Sequence, residues 1–345
     1  MRGNIISPST SIKDAINAID RNGGQAACIC DENGKLLGIF TDGDMRRYVL
    51  RNGDITMPVS TAMNVNPITF TTESDARSHE HFMVIYPIIQ EGKLVDVFYR
   101  VRDGNQWKMG MGDELKDIPL VVMAGGKGTR LRPYTNVLPK ALIPIGDITI
   151  TEHIINKFTD FGCREVYLIL NHKSGMIKSY FNDIPKKYNL HYIEETEFLG
   201  TAGGLQLLKD LVTTSFFLSN CDVYLDADLA CVLRTHKTDN NMITFVCAMK
   251  NYTVPYGVVE LNEHGDMNSI TEKPSYSFLT NTGVYLMEPQ VIDQLTHGEF
   301  ADMPEIARRL LRANRKVGVF PVSENSWMDI GQLEELEELK QRINV

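Results

Sequence analysis

The chain has 345 residues, 43% of them hydrophobic and 23% charged, with a formal net charge of -9. That length exceeds the roughly 100–200 residues of one domain, so two domains are expected, each large enough for its own core. The composition excludes a disordered, collagenous or disulfide-stapled chain, and the acidic balance excludes a general nucleic-acid binder, whose phosphate contacts need clustered Lys and Arg.

Residues 11–22 read as a helix, 26–30 as a strand, 31–35 as a turn and 36–40 as a second strand, with a helix starting at Asp42. A weaker copy follows: a strand at 67–70, a helix over 74–82, a strand at 84–89, a turn at 90–93 and a strand at 94–99. Two tandem β-α-β-β-α units account for the pattern. The stretch 101–116 is rich in Gly and charge without apolar periodicity and reads as a linker, which sets the domains at 1–116 and 117–345.

Beyond it, strand-like apolar runs alternate with helical patterns, which predicts an α/β domain with a mostly parallel sheet and crossover helices. The strands fall at 120–124, 166–170, 215–219, 243–249, 257–261, 282–286 and 317–322. A helix over 152–161 puts Ile154, Ile155, Phe158 and Phe161 on one face and ends at Gly162, and others start near Asp226, Pro304 and Gly331. The six cysteines have no CxxC spacing, so reduced thiols are expected rather than zinc or disulfides. No run approaches the roughly 20 apolar residues of a membrane span, so a cytoplasmic location is expected.

The strand at 120–124 ends at Ala124 and runs into Gly125, Gly126 and Gly128, whose missing Cβ atoms let backbone N–H groups close on a phosphate chain. Thr129, Arg130 and Lys140 add a hydroxyl and fixed positive charge. A bare GGxG is as readily a tight turn. It is neither a Walker loop nor the GxGxxG of a dinucleotide oxidoreductase. Asp222 follows the strand at 215–219, at the carboxyl end where open α/β sheets collect ligands, although alone it suits a turn. Asp329 could equally cap a helix at Gly331. Gly200, Thr201 and Gly203 suit either a surface for a planar base or a helix start. Glu272 with Lys273 reads as a ligand pair or a surface ion pair, Asn281 as a ligand or a turn former, and Thr41 with Asp44 as a ribose grip or a helix cap. None of the eight histidines has ligand or triad spacing.

Taken in order, GGKGTRLRP, PKALIPIG, GTAGGL, NCD, YGVVE, EKP, NTGVY and WMDIG resemble the signature of sugar-1-phosphate nucleotidyltransferases, and GIFTDGD resembles a CBS domain. The resemblance implies a Rossmann-like catalytic domain behind an α+β CBS pair, and transfer of a nucleoside monophosphate from an NTP to a sugar 1-phosphate without a protein nucleophile. It implies catalytic roles for Arg130, Lys140 and Asp222, and Mg²⁺ on Asp222 and Asp329. Nucleotide contacts follow for Ala124, Gly125, Gly126, Gly128, Thr129, Gly200, Thr201 and Gly203, and sugar-phosphate contacts for Tyr256, Gly257, Glu272, Lys273 and Asn281. Thr41 and Asp44 would hold a regulatory nucleotide. In the second CBS copy Tyr99 and Arg100 stand where a threonine and an aspartate belong, so that copy is expected to serve dimer contact. The CBS fusion and LGTAGG wording resemble guanylyltransferases for glucosamine 1-phosphate, as in the legionaminic acid pathway, or heptose 1-phosphate, which points to GTP. Uridylyl-, cytidylyl- and thymidylyltransferases, and a nucleotide sensor without turnover, stay open as alternatives. A homo-oligomer without nucleic-acid or membrane partners is expected.

Overall fold

The computed structural model describes residues 5–21, 26–52, 54–78, 85–99, 114–331 and 333–342. They form two compact units. One holds the described residues up to 99 together with Met249–Phe278, and the other holds 114–248 and 279–342.

The second unit is built on a seven-stranded sheet with edge-to-edge order Asn189–Glu194, Glu165–Leu170, Leu120–Met123, Phe216–Asn220, Ser275–Met287, Ile243–Thr253, Val317–Ser323. The first four strands run parallel, and Phe216–Asn220 pairs antiparallel with Ser275–Met287. The sheet is therefore mostly parallel with late additions, as expected. Every residue of Leu120–Met123 is buried, because a parallel strand covered on both faces must be apolar throughout. The helix Ile150–Thr159 starts two residues earlier than its apolar stripe suggests. Thr149 accepts from the Glu152 N–H while Glu152 accepts from the Thr149 N–H, a reciprocal cap that fixes the start. Gly162, at φ +90°, lies in the turn after the helix rather than at its end.

The helices near Asp226 and Pro304 are Leu229–Asp239, capped by Asp228, and Met303–Arg312, capped by Asp302. The last described helix is Leu333–Arg342. The helix Ser174–Asp183 and the edge strand Asn189–Glu194 are among the elements that carried no clear sequence signal. Leu115 is fully buried in this unit's core and its N–H bonds the Phe161 carbonyl, so packing reaches into the expected linker. Residues 101–113 of that linker lie outside the described residues.

In the first unit, Ile5–Ile6 runs parallel to Ala26–Cys30, which pairs antiparallel with Leu36–Thr41. The helices Ile12–Arg21 and Asp42–Asn52 pack Ile12, Ala15 and Met45 into one core with Phe40 of the strand Leu36–Thr41. The second copy repeats the plan: Phe70 bridges Ile88 in parallel, Glu73–Ser78 is helical, and Ile85–Gln90 forms a hairpin with Lys93–Tyr99. The rest of the helix expected over 74–82, and Arg100, lie outside the described residues. A further hairpin, Val258–Leu261 with Met267–Thr271, belongs to this unit as well. All six cysteines are free thiols. No described helix is long and apolar enough to cross a membrane.

Candidate active site

The three glycines after the first strand of the large sheet differ in what they permit. Gly128 sits at φ +61°, and a Cβ there would come within 2.9 Å of both Lys140 Cβ and Thr135 Cγ2, so glycine is required by backbone and by space. A Cβ on Gly125 would meet Asn171 Cβ at 3.0 Å and Glu195 Oε2 at 3.2 Å. Gly126 has nothing within 4 Å of that position and faces open space. Ala124 is buried, its N–H bonded to the Ile169 carbonyl, and Thr129–Leu131 continues as a short 3-10 turn.

Lys140 follows in a second 3-10 turn, and its buried ammonium donates to Asp222 Oδ2. Asp222 lies two residues beyond the strand Phe216–Asn220. The short antiparallel ladder of Val223–Leu225 with Trp327–Asp329 brings Asp329 level with Val223, and the Ile330 N–H bonds the Asp222 carbonyl at 2.8 Å. Burial and the charge of Asp222 raise the Asp329 carboxyl above the usual carboxylate range, against the pull of Lys140 and Arg130. Residues 107 positions apart are thereby joined in one charge cluster. Among the described residues no three His, Cys, Asp or Glu side chains gather as a metal cage.

Gly331 joins this site through Arg130. A Cβ on it would come within 3.0 Å of Arg130 Cζ, so the guanidinium lies against its bare Cα. Gly331→Ala must shift the tip of Arg130 by a few tenths of an ångström while leaving the fold alone. We expect roughly a tenfold lower kcat/KM in a pyrophosphate-release assay, with an unchanged melting temperature.

Glu195, just past the edge strand, is the second member the sequence did not single out. It is 5% exposed, and neither carboxyl oxygen has a hydrogen-bond partner. Its oxygens are flanked by two glycine-rich segments: a Cβ on Gly204 would fall 2.1 Å from Oε1, and one on Gly125 would fall 3.2 Å from Oε2. Burial raises this carboxyl to about 7. The GTAGGL segment itself is a 3-10 turn over Gly203–Leu208 rather than a helix start. The Ala301 carbonyl accepts from Ala202 N–H and Gly203 N–H, and Gly200 at φ +84° leaves no room for a side chain beside that carbonyl. Thr201 Oγ1 accepts from the Met303 N–H at 3.4 Å.

Asn281 spends its amide locally, donating to Tyr285 Oη and accepting from the Gly283 N–H, as a turn former does. Tyr256, Gly257, Glu272 and Lys273 belong to the other unit. There the Lys273 N–H bonds the Tyr256 carbonyl at 3.3 Å, Lys273 holds φ +45°, and Glu272 Oε2 lies 3.1 Å from where a Gly257 Cβ would sit. In the same unit Asp44 Oδ2 accepts from the Thr41 N–H and Oγ1, and Asp44 Oδ1 accepts from Arg47 at 2.6 Å. Thr41 and Asp44 are thus brought together in the reciprocal cap of the helix Asp42–Asn52, Thr41 Oγ1 accepting from the Asp44 N–H at 3.3 Å.

Residues 120–344 match the Nucleotidyl transferase family and residues 4–51 match the CBS domain. The catalytic subunit beta of mannose-1-phosphate guanylyltransferase from Drosophila melanogaster is 33% identical over 224 residues, 61% of this chain and 59% of that one. The mannose-1-phosphate guanyltransferase of Yarrowia lipolytica is 31% identical over 226 residues, 61% and 60% of the two chains. The UTP--glucose-1-phosphate uridylyltransferase AglF of Haloferax volcanii is 27% identical over 234 residues, 65% and 95% of the two chains. The chain therefore spans about three-fifths of the length of the two guanylyltransferases. In fold it is similar to HddC from Yersinia pseudotuberculosis, with a TM-score of 0.52 and 22% identity over 65% of this chain and 99% of that one. HddC has also been solved complexed with GMP-PN. Enzymes of the matched family generally work with a divalent metal. A match that runs from the first buried strand of the sheet to the last helix leaves no ambiguity about descent: the chain belongs to the nucleotidyl transferase family and carries a CBS domain ahead of it.

Proposed function

We propose that this chain transfers the guanylyl group of GTP to a sugar 1-phosphate and releases pyrophosphate. The cluster of Arg130, Lys140, Asp222 and Asp329 around the glycine-rich loop carries the reaction class. A triphosphate and a sugar phosphate are both anions, so charge neutralisation and alignment are the main tasks. A phosphate oxygen of the sugar attacks the α-phosphorus, the bond to the bridging oxygen breaks, and the electron pair leaves with pyrophosphate. No protein nucleophile takes part.

Asp222 and Asp329 fit a divalent ion, and we propose Mg²⁺. Both are hard oxygen donors, and burial, with the charge of Asp222 second, raises the Asp329 carboxyl, whose ionised form a bound cation would favour. When bound, the ion supplies positive charge at phosphate oxygens. Lys140 and Arg130 stabilise the triphosphate and the departing pyrophosphate, Lys140 turning from Asp222 to phosphate. Ala124, Gly125, Gly126, Gly128 and Thr129 line the phosphate side, and Gly200, Thr201 and Gly203 the base side.

Glu195 carries the choice of base. Guanine presents two adjacent donors, N1–H and N2–H, to which a carboxylate offers two acceptors; uracil and thymine present a carbonyl oxygen in one of those places. The names of the guanylyltransferase relatives point the same way. For the sugar we keep glucosamine 1-phosphate, with mannose 1-phosphate and glucose 1-phosphate as comparison arms. Pyrophosphate release measured over GTP, ATP, UTP, CTP and dTTP against these sugars tests the reading. Absence of release from every pair would leave a nucleotide sensor without turnover.

The resemblance assigns Tyr256, Gly257, Glu272, Lys273 and Asn281 to the sugar phosphate. Lys273→Ala is expected to raise KM for the sugar phosphate roughly tenfold or more and leave KM for GTP within about twofold. For the CBS unit, a nucleotide held by Thr41 and Asp44 is proposed as a regulator. Asp44→Ala should then remove any effect of added adenine nucleotide on initial rates and spare the basal rate.

A further inference from the structure

Three residues after the parallel strand Glu165–Leu170 brace the glycine-rich loop from outside, and none of them belongs to the family signature quoted above. Asn171 packs its Cβ against Gly125, and the His172 N–H reaches the Gly125 carbonyl at 3.4 Å. Lys173 is the unusual one. Its backbone is left-handed, at φ +56° and ψ +34°, a conformation that a residue with a long side chain seldom adopts. Its ammonium donates to three successive carbonyl oxygens, those of Thr135 at 3.1 Å, Asn136 at 2.8 Å and Val137 at 2.8 Å. These close the one-turn helix Tyr134–Val137, whose last carbonyls would otherwise lack partners. All three protons of the ammonium are thereby used on one short segment.

That segment leads back to the phosphate side. Buried Thr135 donates from Oγ1 to the Gly128 carbonyl at 2.8 Å, and its Cγ2 lies where a Gly128 Cβ would clash. Gly128 in turn packs against the stem of Lys140. We infer that Lys173 is a positioning residue for the triphosphate: it locks Thr135–Val137, and through Thr135 it fixes Gly128 and the N–H groups of the loop before any ligand arrives. A strained backbone held in place by a fully used ammonium is what pre-organisation of such a loop requires. The role rests on the proposed transferase reading, since it assumes that the loop receives phosphates.

The test uses the full chain and three variants. Lys173→Asn removes the ammonium and keeps a residue that tolerates the left-handed backbone. Lys173→Arg keeps donors, and Thr135→Val breaks only the relay to Gly128. In Lys173→Asn and Thr135→Val, KM for GTP should rise about tenfold while kcat and KM for the sugar phosphate stay within about twofold, and Lys173→Arg should recover most of the loss. Amide hydrogen exchange should rise in peptides covering 125–137 and nowhere else. Wild-type exchange in that segment, or both KM values moving together with exchange rising across the sheet, would overturn the inference. If the unaltered chain released no pyrophosphate from any triphosphate, the transferase reading would fall, and the exchange comparison would still decide whether Lys173 holds the loop.

Discussion

Glu195→Gln is expected to invert base preference. In place of two acceptors the amide offers one acceptor and one donor, so the donor opposes a guanine N–H, and kcat/KM for GTP should fall roughly a hundredfold or more. The same amide suits uracil, accepting from its N3–H and donating to a carbonyl oxygen, so UTP use should rise in absolute terms. Steady-state rates with the five triphosphates check this directly. An unchanged order of preference would show that the buried carboxylate at 5% exposure is not what reads the base.

The other large effect concerns the paired aspartates, where activity and stability should separate. Asp329→Asn removes a charge that burial and Asp222 already disfavour, so the folded protein should melt no lower at pH 7, while turnover drops at least about a hundredfold with the loss of a ligand charge. Asp222→Asn should cost turnover to a similar degree, but it also strips the partner from the buried Lys140 ammonium and should lower the melting temperature. Melting curves and initial rates on both variants suffice. Near wild-type turnover in both variants would remove the metal assignment.

What could be read from the sequence followed the physics of burial. The parallel strands were legible because burial on both faces forces continuous apolar runs such as Leu120–Met123. The helix Ile150–Thr159 was legible from its apolar stripe, though its start depends on a cap that a stripe does not reveal. The edge strand Asn189–Glu194 is half polar, with a mixed exposed and half-buried pattern, and so carried no signal. Of the site, Arg130 and Lys140 stood out as fixed charge after the glycines and Asp222 as a carboxylate past a strand end, whereas Asp329 owed its place to the family resemblance. Glu195, Gly331 and Lys173 did not stand out, since each matters through neighbours that folding, and not the adjacent sequence, supplies. Glu195 owes its meaning to Gly125 and Gly204, Gly331 to Arg130, and Lys173 to the carbonyls of Thr135–Val137. In a single sequence a buried orphan carboxylate and a surface glutamate look alike.

On the proposed reading of Glu195, whose carboxyl burial raises to about 7, uptake of a guanine base should make the protein a proton donor. A base that needs both oxygens as acceptors selects the ionised form, so association near neutral pH must expel a fraction of a proton per chain into the buffer. Calorimetric heats of GTP binding should therefore differ between phosphate and Tris in proportion to their ionisation enthalpies, and converge above pH 8. Without ligand, the same carboxyl should make folding stability fall with rising pH. A carboxyl whose folded value exceeds the unfolded 4.5 lends stability that is complete below that value and is lost as the pH rises towards 7. At and above neutral pH the empty protein thus holds a destabilising charge that its ligand satisfies, and the rise in melting temperature on adding guanine nucleotide should grow from pH 6 to pH 8.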